Sequence, residues 1–212
     1  MAKILTAERV SRDISDNYVF QRSQLAYHEA ARRISGDVLE IGTGTGYGVE
    51  IVAPHASSFL TLDKIEPAGE RPPFPHVEMR QAVVPPLDLP SGSFDFVISF
   101  QVIEHIKHDM ELVREVHRVL RPGGRLLVLE FSKCQPWFKP IYDFYSFRFM
   151  PWAGGVIAGD RESYRYLAES IRMHPDQPTF AGMMTDAGFE RVSWKNMTFG
   201  ICAMHIGFKP GA

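Results

Sequence analysis

The 212-residue sequence predicts an α/β fold, a doubly wound and mostly parallel seven-stranded sheet that ends in an antiparallel C-terminal strand. Three observations carry this expectation. The apolar run Val38-Leu39-Glu40-Ile41 leads straight into the glycine-rich turn Gly42-Thr43-Gly44-Thr45-Gly46-Tyr47-Gly48, which suits a strand buried on both faces followed by a tight turn into a helix. Further apolar runs at 59–62, 94–100 and 125–131 alternate with helical patterns, as right-handed crossovers between parallel strands require. Two strand patterns in direct succession, 189–197 and 200–208, then close the sheet as a hairpin pair.

Taken in order, residues 15–35 place Tyr18, Leu25, Ala26, Ala30 and Ile34 among charges, behind Ser15 or Asp16 as N-cap. That pattern predicts a helix packed beside the first strand. The glycine turn opens a helix over 46–53, and the second strand runs to Asp63. Prolines keep the connector 66–76 out of regular structure. A third strand is expected over 77–84, a loop over 85–92, and a fourth strand over 94–100, where β-branched and aromatic residues are dense. Residues 109–120 form a helix with Leu112, Val113, Val116 and Leu120 on one face, ended by Arg121-Pro122-Gly123-Gly124 before the fifth strand. Residues 134–165 break the alternation with aromatics and glycine and read as an insertion over the ligand face, and a last helix over 179–187 stops at Gly188. One domain is expected, with N-terminal helices to residue 36, a cofactor-binding core over 37–133, a substrate-side segment over 134–178 and a closing helix and strands over 179–212.

Composition narrows the function. A formal net charge of −2 with no block of Lys or Arg lacks the electrostatic footprint of a nucleic-acid binder, so no nucleic-acid partner is expected. The N-terminal stretch lacks a long apolar segment, and no run reaches the roughly 18–20 apolar residues that span a bilayer. A cytoplasmic protein is expected. Cys134 and Cys202 show neither Cys-x-x-Cys nor Cys/His spacing, so neither a disulfide framework nor a metal is expected.

The glycine turn does not fit the dinucleotide fingerprint. Counting from Gly42 puts Tyr47 where a small residue is needed for helix–strand packing, and counting from Gly44 fails as well. Glu40 stands where a pyrophosphate would approach, and an anion there repels phosphate but accepts hydrogen bonds from an ammonium group. A cofactor with a zwitterionic amino-acid tail fits better. Asp63 lies at the right distance for a carboxylate that bonds ribose hydroxyls. The combination resembles motif I and the second-strand acid of class I S-adenosylmethionine (SAM) methyltransferases, whose Rossmann-like fold ends in the same way. The resemblance implies SAM as the cofactor, surrounded by Glu40, Gly42, Thr43, Gly44, Thr45, Asp63, Lys64, Val83, Val84, Ser99, Phe100 and Gln101.

The C-terminal part carries a more specific likeness. Arg118-Val119-Leu120-Arg121-Pro122-Gly123-Gly124-Arg125-Leu126-Leu127-Val128-Leu129-Glu130-Phe131-Ser132 resembles the second signature of the ubiquinone/menaquinone C-methyltransferases, the UbiE/Coq5 family. Tyr142-Asp143-Phe144-Tyr145-Ser146-Phe147, the stretch from Ser163 to Arg172, and His174-Pro175-Asp176-Gln177 resemble it too. The first half departs from that family. Its Tyr-Asp-x-Met-Asn signature is absent, Gln101-Val102-Ile103-Glu104-His105 stands in place of Gly-Leu-Arg-Asn, and Val83 and Val84 replace an Asp-Ala pair. That half resembles generic (type 11) small-molecule methyltransferases, and a divergent member, a recombinant or a chimera joined near Arg118–Gly124 would each give this pattern.

The resemblance implies methyl transfer to a ring carbon of a prenylated benzoquinol or naphthoquinol. Such chemistry asks for a base that ionises a ring hydroxyl, with a pKa near neutrality. His105 at the end of the fourth strand is the first candidate, and Asp143, Asp160 and His174 follow. Tyr145, Phe147, Tyr164, Tyr166 and Arg172 are the implied substrate contacts, and the run Phe144 to Trp152 reads either as an apolar lid or as an amphipathic helix on the sheet. A lipid-soluble acceptor would bring the protein to the periphery of the inner membrane. A different small-molecule acceptor, or SAM binding without turnover, remains open from the residues alone.

Overall fold

The computed structural model describes residues 17–65, 73–153, 155–156, 165, 169 and 171–211. Seven strands form one sheet: β1 (Asp37–Ile41), β2 (Ser58–Asp63), β3 (Val77–Gln81), β4 (Phe94–Phe100), β5 (Leu120–Phe131), β6 (Glu190–Met197) and β7 (Cys202–Phe208), in the order β3-β2-β1-β4-β5-β7-β6. β1 pairs in parallel with β2 and β4, β2 with β3, and β4 with β5, while β7 runs antiparallel to both β5 and β6. The doubly wound sheet with its reversed C-terminal strand is therefore as expected.

Both faces of the sheet are covered, and the pleat sorts residues between them. In β5, Leu126 and Val128 point to the side packed by Leu112, Val113, Val116, Phe180 and Met184, which belong to helices α3 (Asp109–Val119) and α6 (Gln177–Asp186). Leu127 and Leu129 point to the other side, against Ala26, Tyr27 and Ala30 of α1 (Asn17–Ala31) and Val49 and Val52 of α2 (Val49–Val52). A period of two with both faces buried reads as an unbroken apolar run, which is why the inner strands are conspicuous in the sequence.

Three boundaries differ from expectation, each for a local reason. The helix after the glycine turn starts at Val49 and tightens into a 3₁₀ turn at Ala53–His55. Pro54 has no N–H for the carbonyl four residues back, so the α-helical ladder stops there. β3 ends at Gln81, and the chain passes Val83 and Val84 at the cleft into Pro85 and Pro86, which have no N–H to extend the ladder. Arg121-Pro122-Gly123-Gly124 is not a separate turn but part of β5. Phe94 pairs with Leu120 and Phe96 with Arg125, so these four residues bulge opposite Asp95 alone. The bulge is tied down: Arg121 donates to Asp95 Oδ2 (2.6 Å) and Asp37 Oδ2 (2.7 Å), and Gly123 N–H donates to the Lys209 carbonyl.

The described part of the segment after β5 holds α4 (Lys139–Phe144), a π-helical turn (Tyr145–Phe149) and α5 (Met150–Ala153). Among the described residues, no helix is long and apolar enough to cross a membrane.

Candidate functional site

The strand order changes direction between β1 and β4, and ligands of doubly wound sheets bind beyond the carboxyl ends of the strands at such a switch point. A cleft of about 390 Å³ opens there. Its walls are the segments that leave four strands: Gly42–Thr45 after β1, Asp63, Lys64 and Ile65 after β2, Ala82 to Pro85 after β3, and Phe100 to Gln101 with His105 to His108 after β4. Small-molecule sites occupy roughly 300–1,000 Å³, so the cleft has room for a nucleoside-sized ligand.

The glycine turn is held open by geometry that side chains would spoil. Gly42 has φ +92°, and a Cβ there would stand 2.1 Å from Val102 Cγ2. Beneath the turn runs a buried chain of hydrogen bonds. The Tyr27 hydroxyl donates to Glu40 Oε1 (2.7 Å), the Thr61 hydroxyl donates to Glu40 Oε2 (2.6 Å), and the Thr43 and Thr61 hydroxyls are 2.5 Å apart. Glu40 is buried and does not line the cleft, so both its oxygens serve to brace the turn and Tyr27 rather than facing a ligand directly. Gly48 has to be glycine for the same brace: a Cβ there would meet the Tyr27 ring at 2.2 Å. Gly48→Ala should push Tyr27 off Glu40 and cost about 1–3 kcal/mol, the usual range for overpacking, read from denaturant unfolding.

Burial raises the Glu40 carboxyl from 4.5 to about 7, more than its bonds to Thr61 and Tyr27 lower it, with the Asp63 charge adding to the rise. Between those two values the folded protein holds a proton that the unfolded chain has released. Stability therefore falls as pH rises through that window, on the order of 3 kcal/mol in all, and levels off above it. Glu40→Gln should remove this slope. The check is thermal melting of both proteins at pH 5 and pH 8, where only the wild type should lose stability from this source.

Asp63 ends β2 at the rim of the cleft. Its Oδ2 accepts from Gly44 N–H (2.8 Å) and its Oδ1 from Ile65 N–H (3.0 Å), which ties the glycine turn to the second strand. A carboxylate offers about four lone-pair positions, so capacity remains for ligand hydroxyls. Across the cleft, Gln101 adopts φ +59°, a left-handed conformation uncommon outside glycine, with its N–H donating to the Leu129 carbonyl (2.7 Å). The chain then turns through the 3₁₀ segment Ile103–His105, which brings His105 to the cleft. Its Nε2 lies 3.5 Å from Glu104 Oε1.

Most of the residues expected around a cofactor come together. Gly42, Thr43, Gly44, Thr45, Asp63, Lys64, Val83, Val84, Phe100 and Gln101 all line the cleft, whereas Glu40 and Ser99 lie buried below it. The candidate bases do not share one site. Asp143 sits on α4 beside a separate hollow of about 70 Å³, bonded to Lys139 (2.5 Å) and Arg172 (2.6 Å). Burial alone would raise its carboxyl, but those two cations hold it below the ordinary range. His174 is buried against Phe180, away from the cleft residues, and burial, helped by Lys133 and His205, lowers it to about 4. At neutral pH it is an uncharged packing residue. Phe147 and Arg172 meet at the same hollow, with the guanidinium 4.3 Å from the ring centroid, and Tyr145 stacks on Phe149 at the surface. Asp160, Tyr164 and Tyr166 lie outside the described residues.

The sequence reading missed Tyr27 as a cleft residue. It stands three and seven residues before Ala30 and Ile34, on the buried face of α1, so the helical period could have found it. Lys107, His108 and the carboxyl of Glu130 were also missed, because nothing in their local pattern marks them.

The family model described as the ubiE/COQ5 methyltransferase family matches residues 61–209. The likeness thus starts at β2, well ahead of the Arg118–Gly124 segment from which it was expected. The curated ubiquinone/menaquinone biosynthesis C-methyltransferase UbiE of Ectopseudomonas mendocina (strain ymp) is 54% identical over 136 residues, covering 64% of this chain and 53% of that protein. The chain spans about half the length of the curated relatives it matches. Among solved structures, the [4+2]-cyclase SpnF aligns with a TM-score of 0.64 at 14% identity, covering 95% of this chain and 84% of its own. Phosphoethanolamine N-methyltransferase 2 of Haemonchus contortus, in complex with S-adenosyl-L-methionine, aligns with a TM-score of 0.63 at 14% identity, covering 89% and 52%. Those two establish the fold alone, but the family model spans well over half of the sequence, and the chain belongs to the UbiE/COQ5 methyltransferase family.

Proposed function

We propose that the chain is a SAM-dependent methyltransferase that C-methylates the ring of a prenylated quinol, a demethylmenaquinol or a polyprenyl benzoquinol. The observation that carries the reading is the switch-point cleft, in which a glycine turn, the Asp63 carboxylate and the His105 imidazole converge in a member of this family.

The residues fit the cofactor. Asp63 retains acceptor capacity for ribose hydroxyls, the backbone of Gly42 to Thr45 stands open to a polar tail, and Leu62, Ile65, Val84 and Ile106 offer apolar walls for a flat base. When bound, SAM supplies a methyl group on a sulfonium that leaves as a neutral thioether. The protein's work is to align the acceptor carbon with that methyl and to exclude water. His105 accepts the proton of the ring hydroxyl, which pushes electron density onto the ring carbon. The methylated carbon then loses its own hydrogen as a proton, the ring regains aromaticity, His105 returns the first proton to the ring oxygen, and one proton is released overall.

The acceptor is apolar, and the surface has a matching feature. Trp137, Ile141, Phe144, Tyr145, Phe149 and Trp152 recur at helical spacing and are all exposed. We assign this stripe to peripheral membrane contact, with Lys139 and Arg148 as its sparse basic flank.

Calorimetry with SAM and S-adenosylhomocysteine, followed by turnover assays with demethylmenaquinol and its benzoquinol analogue, tests the reading. Binding followed by methylation of either quinol supports it. Binding with transfer to neither would leave a SAM-binding protein without this activity, a second reading favoured by Val83, which is 78% exposed and offers no polar side chain at the cleft.

A further inference from the structure

We propose that the buried carboxyls of Glu104 and Glu130 share a single proton and so present one negative charge to His105, making the two acids positioning residues for the imidazole. The proposal rests on the reading of the cleft as a methyl-transfer site for the use made of His105, but its test needs no substrate.

Glu130 sits near the end of β5, 1% exposed, and its Oε1 accepts from the backbone N–H groups of Val102 (3.0 Å) and Ile103 (2.8 Å). These bonds bind the 3₁₀ turn that carries His105 to the sheet. The Glu104 side chain, also 1% exposed, follows Ile103 in the turn that Glu130 holds, near enough for its charge to act on Glu130, and its Oε1 is the atom 3.5 Å from His105 Nε2. Two adjacent carboxylates in so dry a place repel and cannot both stay ionised. Two protonated ones would weaken the bonds from the pair of backbone donors, which favour a carboxylate at Glu130. One proton between them satisfies both constraints. Burial, and then the Glu104 charge, push Glu130 well above the usual carboxylate range against those two N–H bonds.

The arrangement has a use. With neutral His105, the charge rests at Glu130 under the two N–H groups and Glu104 holds the proton. When the imidazole takes up a proton, the shared proton moves from Glu104 to Glu130, and the charge moves next to the imidazolium. No proton leaves the pair, yet the base gains a counter-ion as it becomes charged. The other ionisable side chains lining the cleft, Tyr27, Tyr47, Asp63, Lys64, Lys107 and His108, are the same in the wild type and in every variant of the test.

The experiment is an NMR titration of His105 in the full chain with isotope-labelled histidine, assigned by loss of its signal in His105→Asn. Gln mimics a protonated Glu, so Glu130→Gln fixes the charge on Glu104 beside the imidazole and should titrate near the wild type, whereas Glu104→Gln holds it on Glu130 and should lower the His105 midpoint part of the way. The double variant removes the charge, and its His105 midpoint should shift to distinctly lower pH. A double variant that titrates with the wild type would show that the pair carries no charge. Equal, additive downward shifts in the two single variants would show two charges, and either result overturns the proposal. Should the double variant not fold, infrared spectroscopy at pH 8, above the Glu40 titration, decides with the single variants alone. The wild type should show a buried protonated-carboxyl band that each single variant loses, and its absence from the wild type overturns the proposal. Failure of the methyltransferase reading would appear separately, as absent SAM binding or turnover in the wild type.

Discussion

Asparagine in place of His105 should lower kcat for quinol methylation by about 10²- to 10⁴-fold, the usual contribution of a positioned general base. SAM binding, read by calorimetry, should be largely retained. The expectation follows from position: of the candidate bases among the described residues, His105 alone lines the switch-point cleft, whereas Asp143 is neutralised by two cations and His174 is buried and uncharged. The split between kcat and cofactor affinity is informative because a merely structural role in the Ile103–His105 turn would disturb both. A kcat near that of the wild type would remove His105 as the base.

Asp63→Ala should raise the Kd for SAM by about 10- to 150-fold, since a hydrogen bond to a charged group is worth about 1.5–3 kcal/mol. The carboxylate does two things in the structure. It ties Gly44 and Ile65 to the end of β2, and it lines the cleft with acceptor capacity to spare. Asp63→Asn keeps one acceptor oxygen and should fall between the wild type and the alanine variant. Calorimetric titration of the three proteins checks the series, and an unchanged Kd for the alanine variant would refute the placement of this carboxylate on the ribose.

Much of the fold was legible because the buried strands are short and flanked by turn chemistry. Phe94–Phe100 was placed to the residue, and Gly188 was read as the stop of the last helix from its own neighbours. The boundaries that moved lie at prolines. Pro54 tightens a helix, Pro85 and Pro86 end a strand early, and Pro122 belongs to a bulge whose partner, Asp95, is distant in sequence. Most residues that line the cleft were legible for the same reason as the fold, since they stand at or just past the carboxyl ends of recognisable strands.

What the sequence determined alone was therefore whatever depends on near neighbours: the strands and their order of appearance, the glycine turn, Asp63 at the end of β2, and the family likeness. What tertiary structure decided was the state of the ionisable groups. Glu40 was read as facing a ligand, yet packing of α1 across β1 buries it under Tyr27 and Thr61 and raises its carboxyl to about 7. His105 came first among the candidate bases for its place after the fourth strand, but only the fold shows a cleft histidine beside a neutralised carboxylate, Asp143, and a dry imidazole, His174. Charge and proton affinity depend on burial and on partners brought from distant segments, such as Glu130 against Glu104, and no local pattern encodes that proximity.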